Sequence, residues 1–462
     1  MLGTYPPHPG SDTPGGAGTV LVAMSDLPPP PVEQRPPWLP PPPGAPARRP
    51  YLPPPPPPPT PGDPGDGSRS RGRRWALAAL GLLVIVGLVA SAVLAAGGGA
   101  HRGSPAPTTT PAPADRASIE RAVADISGFV EHERGLKFKH PVTVQLLGEG
   151  QFQDRLLKDF DDDAADMRKD EVLMKGLGLV DPGVDLVAAM RSLLGAGVVG
   201  FYDPETKALV VRGAALTPYV RTTIAHELTH ALDDQWFDLD RPQYDKAADE
   251  VSFGFSALAE GDARRVENAY RSSLSEADKR DAAAEELQIG AGLDLRKVPL
   301  VLVDLIGAPY SFGEVLVDDV VRRGGKASLG RAFGDPPHTS EQVLDPDRFA
   351  DREGSLPVPH PRVPGTVIKQ GVAGELLIQE TLESGIPRDD AATAAEGWGG
   401  DWAVAWKDGP RPCTSLTVVG DDAKETGELR DAFRRWADSH DGARITGGTG
   451  GAPVNVASCA AG

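Results

Sequence analysis

Two histidines, four residues apart, constrain this chain more than any other feature. His226 and His230 lie in residues 219–237, where apolar side chains recur at spacings of three and four residues. That period predicts a helix. Thr217 followed by Pro218 predicts its start, because threonine caps helices and proline is accepted in the first turn. Residues i and i+4 share one face of a helix, so both imidazoles can reach one metal ion.

The residues around these histidines complete an HExxH motif. Glu227 follows the first histidine and can reach a water molecule beside the metal, where it would act as general base. The expected metal is Zn²⁺, which accepts imidazole nitrogens and lowers the pKa of a bound water toward about 7. The alternative is a helix with two core histidines and a surface glutamate. We favour the metal site, because the whole chain contains only nine histidines.

A third metal ligand has to come from a later segment. The extended metzincin pattern is missing, because Asp233 and Trp236 stand where it needs a glycine and a third histidine. A carboxylate on a following helix remains. Glu260 lies among small residues of a predicted helix, 252–270, which would let two helices approach closely. We favour Glu260 for this reason, and Glu250 is the rival, at a spacing that also suits a two-helix site.

Residues 197–213 predict a β-hairpin directly before the motif helix. Two β-rich runs flank a proline-containing turn at residues 203–207. In zinc peptidases an edge strand above the metal pairs with an extended peptide, and this hairpin has a suitable place in the sequence. A purely structural hairpin is the alternative.

Three further residues are candidates for supporting roles. Asp234, at i+4 from His230, can accept the second N–H of that histidine, and a surface acid is the alternative. Tyr310 and His338 are candidates to donate a hydrogen bond to a developing oxyanion. Packing and loop roles are the alternatives for these two.

The N-terminal region predicts a membrane-anchored chain. Residues 1–74 are rich in proline, which predicts a disordered tail that can bind a cytoplasmic partner. Residues 75–96 carry no charge and are long enough to cross a bilayer as one helix. Arginines precede this segment, so the positive-inside rule places the N-terminus in the cytoplasm and the C-terminal domain outside the cell membrane. A cleaved signal peptide is the alternative, but the region before the apolar run is too long for one.

The rest of the chain predicts one α+β ectodomain. A linker rich in proline, threonine and alanine, residues 97–115, leads into residues 116–462, which contain no second linker of this kind. The net charge of −18 argues against binding to nucleic acid, which requires a basic patch. Cys413 and Cys459 can form one disulfide outside the cytoplasm, and two free thiols are the alternative.

Five segments of the chain together resemble one known family. They are residues 200–207, 226–239, 257–263, 339–346 and 397–401. They resemble a largely uncharacterised family of bacterial, membrane-anchored, gluzincin-like zinc metallopeptidases, over roughly residues 126–406. The resemblance implies a zincin-like fold, with His226, His230 and Glu260 as zinc ligands and Glu227 as the base. It implies no particular substrate, and the tail and membrane helix lie outside it.

The sequence therefore predicts a zinc-dependent hydrolase that cleaves peptide bonds in peptides or proteins outside the membrane. Two other functions remain open. One is a non-catalytic cell-envelope module with a structural zinc site, which would need a fourth protein ligand. The other is a zinc hydrolase that acts on a different amide, such as a cross-link in cell-wall material.

Overall fold

Helices and two β-sheets make up the structure, a computed structural model of the α+β class. It describes residues 114–158, 160–213, 215–294, 296 and 298–461. The predicted tail, residues 1–74, and the predicted membrane helix, residues 75–96, lie outside the described residues. So does nearly all of the predicted linker, residues 97–115.

A three-stranded sheet and long helices form the first part of the described chain. In chain order they are α1 (Arg116–Arg134), β1 (Val144–Leu147), α2 (Glu149–Leu156), α3 (Phe160–Gly176), α4 (Leu186–Gly197), β2 (Gly200–Asp203), β3 (Ala208–Arg212), α5 (Pro218–Phe237), α6 (Val251–Ser273), α7 (Glu276–Ala291) and α8 (Leu300–Gly324). The strand order is β1–β3–β2, with β1 parallel and β2 antiparallel to β3. Among the described strands, β2 therefore lies at an edge of this sheet, and the predicted hairpin is present.

A five-stranded sheet forms the second part. Its elements are α9 (Ser328–Gly334), α10 (Ser340–Leu344), α11 (Pro346–Asp351), β4 (Val367–Gly371), α12 (Gly374–Glu383), α13 (Arg388–Ala395), β5 (Trp398–Asp408), β6 (Arg411–Gly420), α14 (Ala423–Ala437), β7 (Arg444–Gly447) and β8 (Val454–Cys459). The order is β4–β5–β6–β8–β7, and all neighbours are antiparallel. A disulfide between Cys413 and Cys459 joins β6 to β8.

The motif helix α5 begins where its sequence predicts. The Thr217 hydroxyl accepts a hydrogen bond from the backbone N–H of Val220 at 3.1 Å, and Pro218 occupies the first turn. Ile224 and Leu228 are fully buried in a core shared with α1, β2 and β3. Each buried aliphatic side chain of this kind stabilises the fold by about 1.5–3 kcal/mol. These contacts fix the face of α5 that carries the histidines.

Helix α8 is apolar and packs closely against α6. It is the one helix in the described part of the chain that is long and apolar enough to cross a membrane. It lies mid-chain, however, and 56% of its most apolar window is buried. Where the two helices cross, a Cβ atom on Gly261 would overlap the backbone carbonyl of Gly313. About half of the apolar surface of α8 is thus used in core contacts, and α8 is distinct from the segment that we predicted to span the membrane.

Candidate metal centre

His226, His230 and Glu260 meet in the protein interior, where α5 packs on α6. All three side chains are fully buried. The two histidine Nε2 atoms lie 3.0 Å apart, and Glu260 Oε2 lies 3.2 Å from His226 Nε2 and 3.5 Å from His230 Nε2. Tetrahedral zinc with bonds of about 2.0–2.1 Å separates its ligand atoms by about 3.3 Å. The group has these dimensions and can hold a metal ion.

Glu260 and Glu250, which the sequence left open as the third ligand, occupy very different places. Glu250 lies directly before α6, where its carboxylate accepts hydrogen bonds from the backbone N–H and hydroxyl of Ser340, at 2.8 and 3.0 Å. Ten helical residues, about 15 Å, separate it from Glu260. The structure therefore brings Glu260, and not Glu250, to the two histidines.

Several buried polar atoms of the site have no hydrogen-bond partner among the described residues. They are His230 Nδ1, Glu260 Oε1 and both carboxylate oxygens of Glu227. Each buried polar group left in this way costs about 1–3 kcal/mol, and more if it is charged. A cation beside the Glu260 carboxylate would offset the free-energy cost of burying it. The unpaired atoms and the His₂Glu donor set both fit a divalent metal such as zinc.

Burial and neighbouring charges shift the pKa values of these groups in opposite directions. Burial lowers the pKa of His226, but its hydrogen bonds to Glu260 and Glu267 raise it to about 9. Burial lowers the pKa of His230 below its ordinary value. For Glu260, burial raises the pKa, but the two histidines hold it below the ordinary value. A bound metal ion would displace the proton from His226, because a histidine ligand must be neutral.

Glu227 lies on the side of α5 that faces the edge strand β2. Its Cγ atom lies 3.6 Å from the position that a Cβ would take on Gly200, so the helix and the strand are in close contact there. Its side chain is fully buried, and burial raises its pKa to about 8. A carboxyl group with a pKa near neutrality can both accept and return a proton at physiological pH.

Glu267 was not among the residues predicted for the site. Its Oε2 atom lies 3.2 Å from His226 Nδ1 and 3.0 Å from Arg264 Nη1. A carboxylate on the second ring nitrogen orients a metal-binding histidine and directs Nε2 toward the metal. The spacing in the sequence could have indicated this residue. Glu267 follows Glu260 by seven residues, which is two helical turns, so both lie on the same face of α6.

Asp234 does not have the predicted role of a hydrogen-bond partner for His230. Its carboxylate accepts from the Tyr202 hydroxyl at 2.7 Å, from Lys207 Nζ at 2.7 Å and from the backbone N–H of Leu239 at 3.1 Å. The side chain is buried, so the alternative of a surface acid was also wrong. Asp234 instead links the end of α5 to the β2–β3 hairpin.

The two candidates for an oxyanion donor are separated in the structure. The ring of Tyr310, from α8, stacks near that of His226, with 6.1 Å between centroids and 21° between planes. His338 lies beyond the start of α6, where its Nδ1 contacts Asp249 Oδ2 at 2.8 Å and its carbonyl accepts from the backbone N–H of Glu250. Tyr310 is therefore adjacent to the metal-binding group, whereas His338 contacts Glu250 and does not belong to that group.

Comparison of this chain with protein-family models, with curated proteins and with solved structures found no match.

Proposed function

We propose that the protein is a zinc-dependent peptidase, with His226, His230 and Glu260 as metal ligands and Glu227 as the general base. The observation that carries the proposal is the triangle of ligand atoms, 3.0–3.5 Å on a side, beside an unpaired glutamate. The set contains three residues, and no fourth His, Cys, Asp or Glu joins it within the described chain. Catalytic zinc sites have three protein ligands, whereas structural sites have four.

The proposed reaction assigns a separate task to each remaining group. When bound, the zinc ion would polarise the scissile carbonyl and acidify a water molecule. Glu227 takes a proton from the attacking water and delivers it to the leaving amine. Glu267 holds the His226 ring in the orientation required of a ligand. Tyr310 donates to the oxygen that becomes negative.

The edge strand β2 supports a peptide as the substrate. Close contact at Gly200 brings this strand against Glu227. Most residues of β2 are buried, so an extended peptide could add to this edge by backbone hydrogen bonds only after the site has opened. We therefore propose that the substrate is an extended segment of a peptide or protein, in line with the resemblance to gluzincin-like metallopeptidases.

A structural metal site is the second candidate function. The complete burial of all three ligands favours it, because a catalytic centre has to admit its substrate. In that case the metal would stabilise the contact of α5 with α6 without chemistry. A peptidase requires Glu227 for its activity. A structural site does not require it, because Glu227 supplies no ligand atom to the group.

The deciding experiment compares the full-length zinc-loaded chain with its Glu227→Gln variant on a diverse peptide mixture, analysed by mass spectrometry. Glutamine preserves the shape of the side chain but cannot accept the proton. We expect cleavage by the parent and a loss of about 10²–10⁴-fold in the variant. Glu341→Gln is the matched control, because it makes the same substitution at a buried glutamate of the C-terminal part, and it should leave cleavage unchanged.

Absence of cleavage by a parent chain that binds zinc would exclude a broad peptidase and favour the structural site. Equal cleavage by parent and Glu227→Gln would exclude this glutamate as the base. Tyr310→Phe gives a further test, because loss of one oxyanion donor lowers kcat by about 10²–10³-fold. Its zinc affinity should stay unchanged.

A further inference from the structure

A second buried charged group lies next to the metal-binding residues and links three helices. Arg134, the last residue of α1, has a side chain only 1% exposed. Its Nη2 atom lies 2.6 Å from Asp233 Oδ1 on α5, and its Nε atom lies 2.5 Å from Asp262 Oδ2 on α6. Both aspartate side chains are fully buried.

The positions of these two aspartates relate the group to the metal centre. Asp233 follows His230 by three residues, so the two lie within one turn of α5. Asp262 follows Glu260 by two residues, which places it about 200° further around the axis of α6. Contacts to Arg134 on one face and to the histidines on the other therefore resist rotation of α6 about its axis.

The guanidinium group suits this task for a chemical reason. It is always charged, and its planar fork can contact two carboxylates in fixed directions. Arg134 uses different nitrogens for its shortest contacts with the two aspartates, and its Nε also lies 3.2 Å from Asp233 Oδ1. A lysine would supply the charge without the fork, so it would hold the aspartates less rigidly.

We propose that Arg134 is a positioning residue for the metal centre, which sets the separation and rotation of the ligand-bearing helices through Asp233 and Asp262. This inference rests on the proposed metal site. Arg134 contacts no ligand atom itself and acts only through the two helices. A change at Arg134 should therefore alter metal affinity beyond its effect on stability.

The experiment compares Arg134→Lys with Arg348→Lys in the full-length chain. Arg348 is the matched control, because it is a mostly buried guanidinium between Glu353 and Asp421 of the C-terminal part, with contacts of 2.7 and 2.8 Å. Both variants keep the positive charge and lose the fork. We expect both to unfold at lower urea concentrations than the parent when metal is removed.

Zinc affinity, measured by competition with a chromophoric chelator, separates the two variants. We expect Arg134→Lys to weaken it about 10–100-fold, as for other residues that orient metal ligands indirectly. Arg348→Lys should change it by no more than about twofold, as expected of a distant site. With Co²⁺ in place of zinc, the visible absorption bands should change in Arg134→Lys and stay unchanged in Arg348→Lys, because they report ligand geometry.

Equal affinity losses in the two variants, or an unchanged affinity in Arg134→Lys, would overturn the proposal. If Arg134→Lys does not fold, Asp233→Asn replaces it, because that change leaves one cation facing one anion and loosens only the contact with α5. It must then weaken zinc binding more than Arg348→Lys does, and the proposal falls if it does not. A parent that binds zinc without cleaving peptides would exclude the broad peptidase alone, whereas a parent that binds no zinc would refute both proposals.

Discussion

Two clusters of carboxylates, one in each part of the molecule, are neutralised differently. In the C-terminal part, Arg348 Nη1 lies 2.7, 2.8 and 3.5 Å from Glu353, Asp421 and Glu341. At the ligand triangle of the N-terminal part, Glu260 meets two histidines, and no lysine or arginine contact is recorded for it among the described residues. A network with its own cation needs no ligand to explain its burial. Within the described chain, the ligand triangle has no lysine or arginine of its own, so the buried Glu260 carboxylate requires a proton or a metal ion. This absence of a protein cation is what makes the triangle a candidate site, whereas the Arg348 cluster is structural.

The largest expected effect tests the network that has its own cation. Arg348→Met would leave the buried Glu341 and the partly exposed Glu353 and Asp421 without their shared positive charge, and we expect a loss of about 3 kcal/mol in the free energy of unfolding, the lower end of the range for buried ion pairs. Urea denaturation at neutral pH measures it. If the loss is below about 1 kcal/mol, as for an exposed pair, the comparison between the two networks fails.

The disulfide tests whether the two parts are energetically separate. Cys413 and Cys459 are 46 residues apart in sequence, and closing a loop of this size stabilises a protein by about 2–4 kcal/mol. We expect the double change to alanine to lower stability by that amount in urea denaturation. Zinc affinity should stay within about twofold of the parent, and a larger change would show that the parts are coupled.

Metal binding at the ligand triangle, which has no lysine or arginine of its own among the described residues, should stabilise the folded protein. Zinc at 100 times its dissociation constant should raise the free energy of unfolding by about 2.7 kcal/mol. His230→Gln should abolish this gain, because it removes one of three ligands. His338→Gln is the matched control and should keep the full gain, since His338 lies outside the ligand group. Thermal unfolding with zinc and with a chelator measures all three proteins.

The smallest effect, when it is measured over a single pH unit, concerns pH and the C-terminal network. Burial raises the pKa of Glu341 from 4.5 to about 9, although Arg348 opposes the shift. The folded protein therefore keeps this proton between about pH 4.5 and 9, where the unfolded chain releases it, and stability falls as pH rises through that window. The slope from one group is at most about 1.4 kcal/mol per pH unit.

Glu341→Gln should remove that contribution, since glutamine does not titrate. Urea denaturation at several pH values across the window would then give a shallower decline than the parent shows. An unchanged slope would mean that Glu341 is ionised in the folded protein and that Arg348 fully compensates its charge.

Local patterns were enough to predict the parts of the site that lie within single elements. The period around His226 and the Thr217–Pro218 pair predicted α5, and small residues around Glu260 predicted a helix able to approach it. Spacing within one helix carries this information, because side chains three, four or seven residues apart share a face. The β2–β3 hairpin was predicted for the same reason, from the turn between two β-rich runs.

Contacts between distant elements were beyond such reasoning. Arg134 lies 99 residues from Asp233 along the chain, and nothing in the local sequence of either residue indicates the other. Asp234 resembled a ligand partner by spacing alone, but the hairpin supplied nearer donors. His338 was a chemically reasonable donor that the fold places near Glu250 instead. In each case tertiary packing decided the role.

The complete burial of His226, His230 and Glu260 has a kinetic consequence. No ligand atom touches solvent, so a metal ion can enter or leave only while the helices around it have separated. Exchange then proceeds no faster than this opening, and the rate of removal should become independent of chelator concentration once the chelator is in excess. The same opening would have to admit a peptide, so metal loss and substrate entry share one gate. A stopped-flow measurement of zinc release would thus give a lower limit to the rate of this opening.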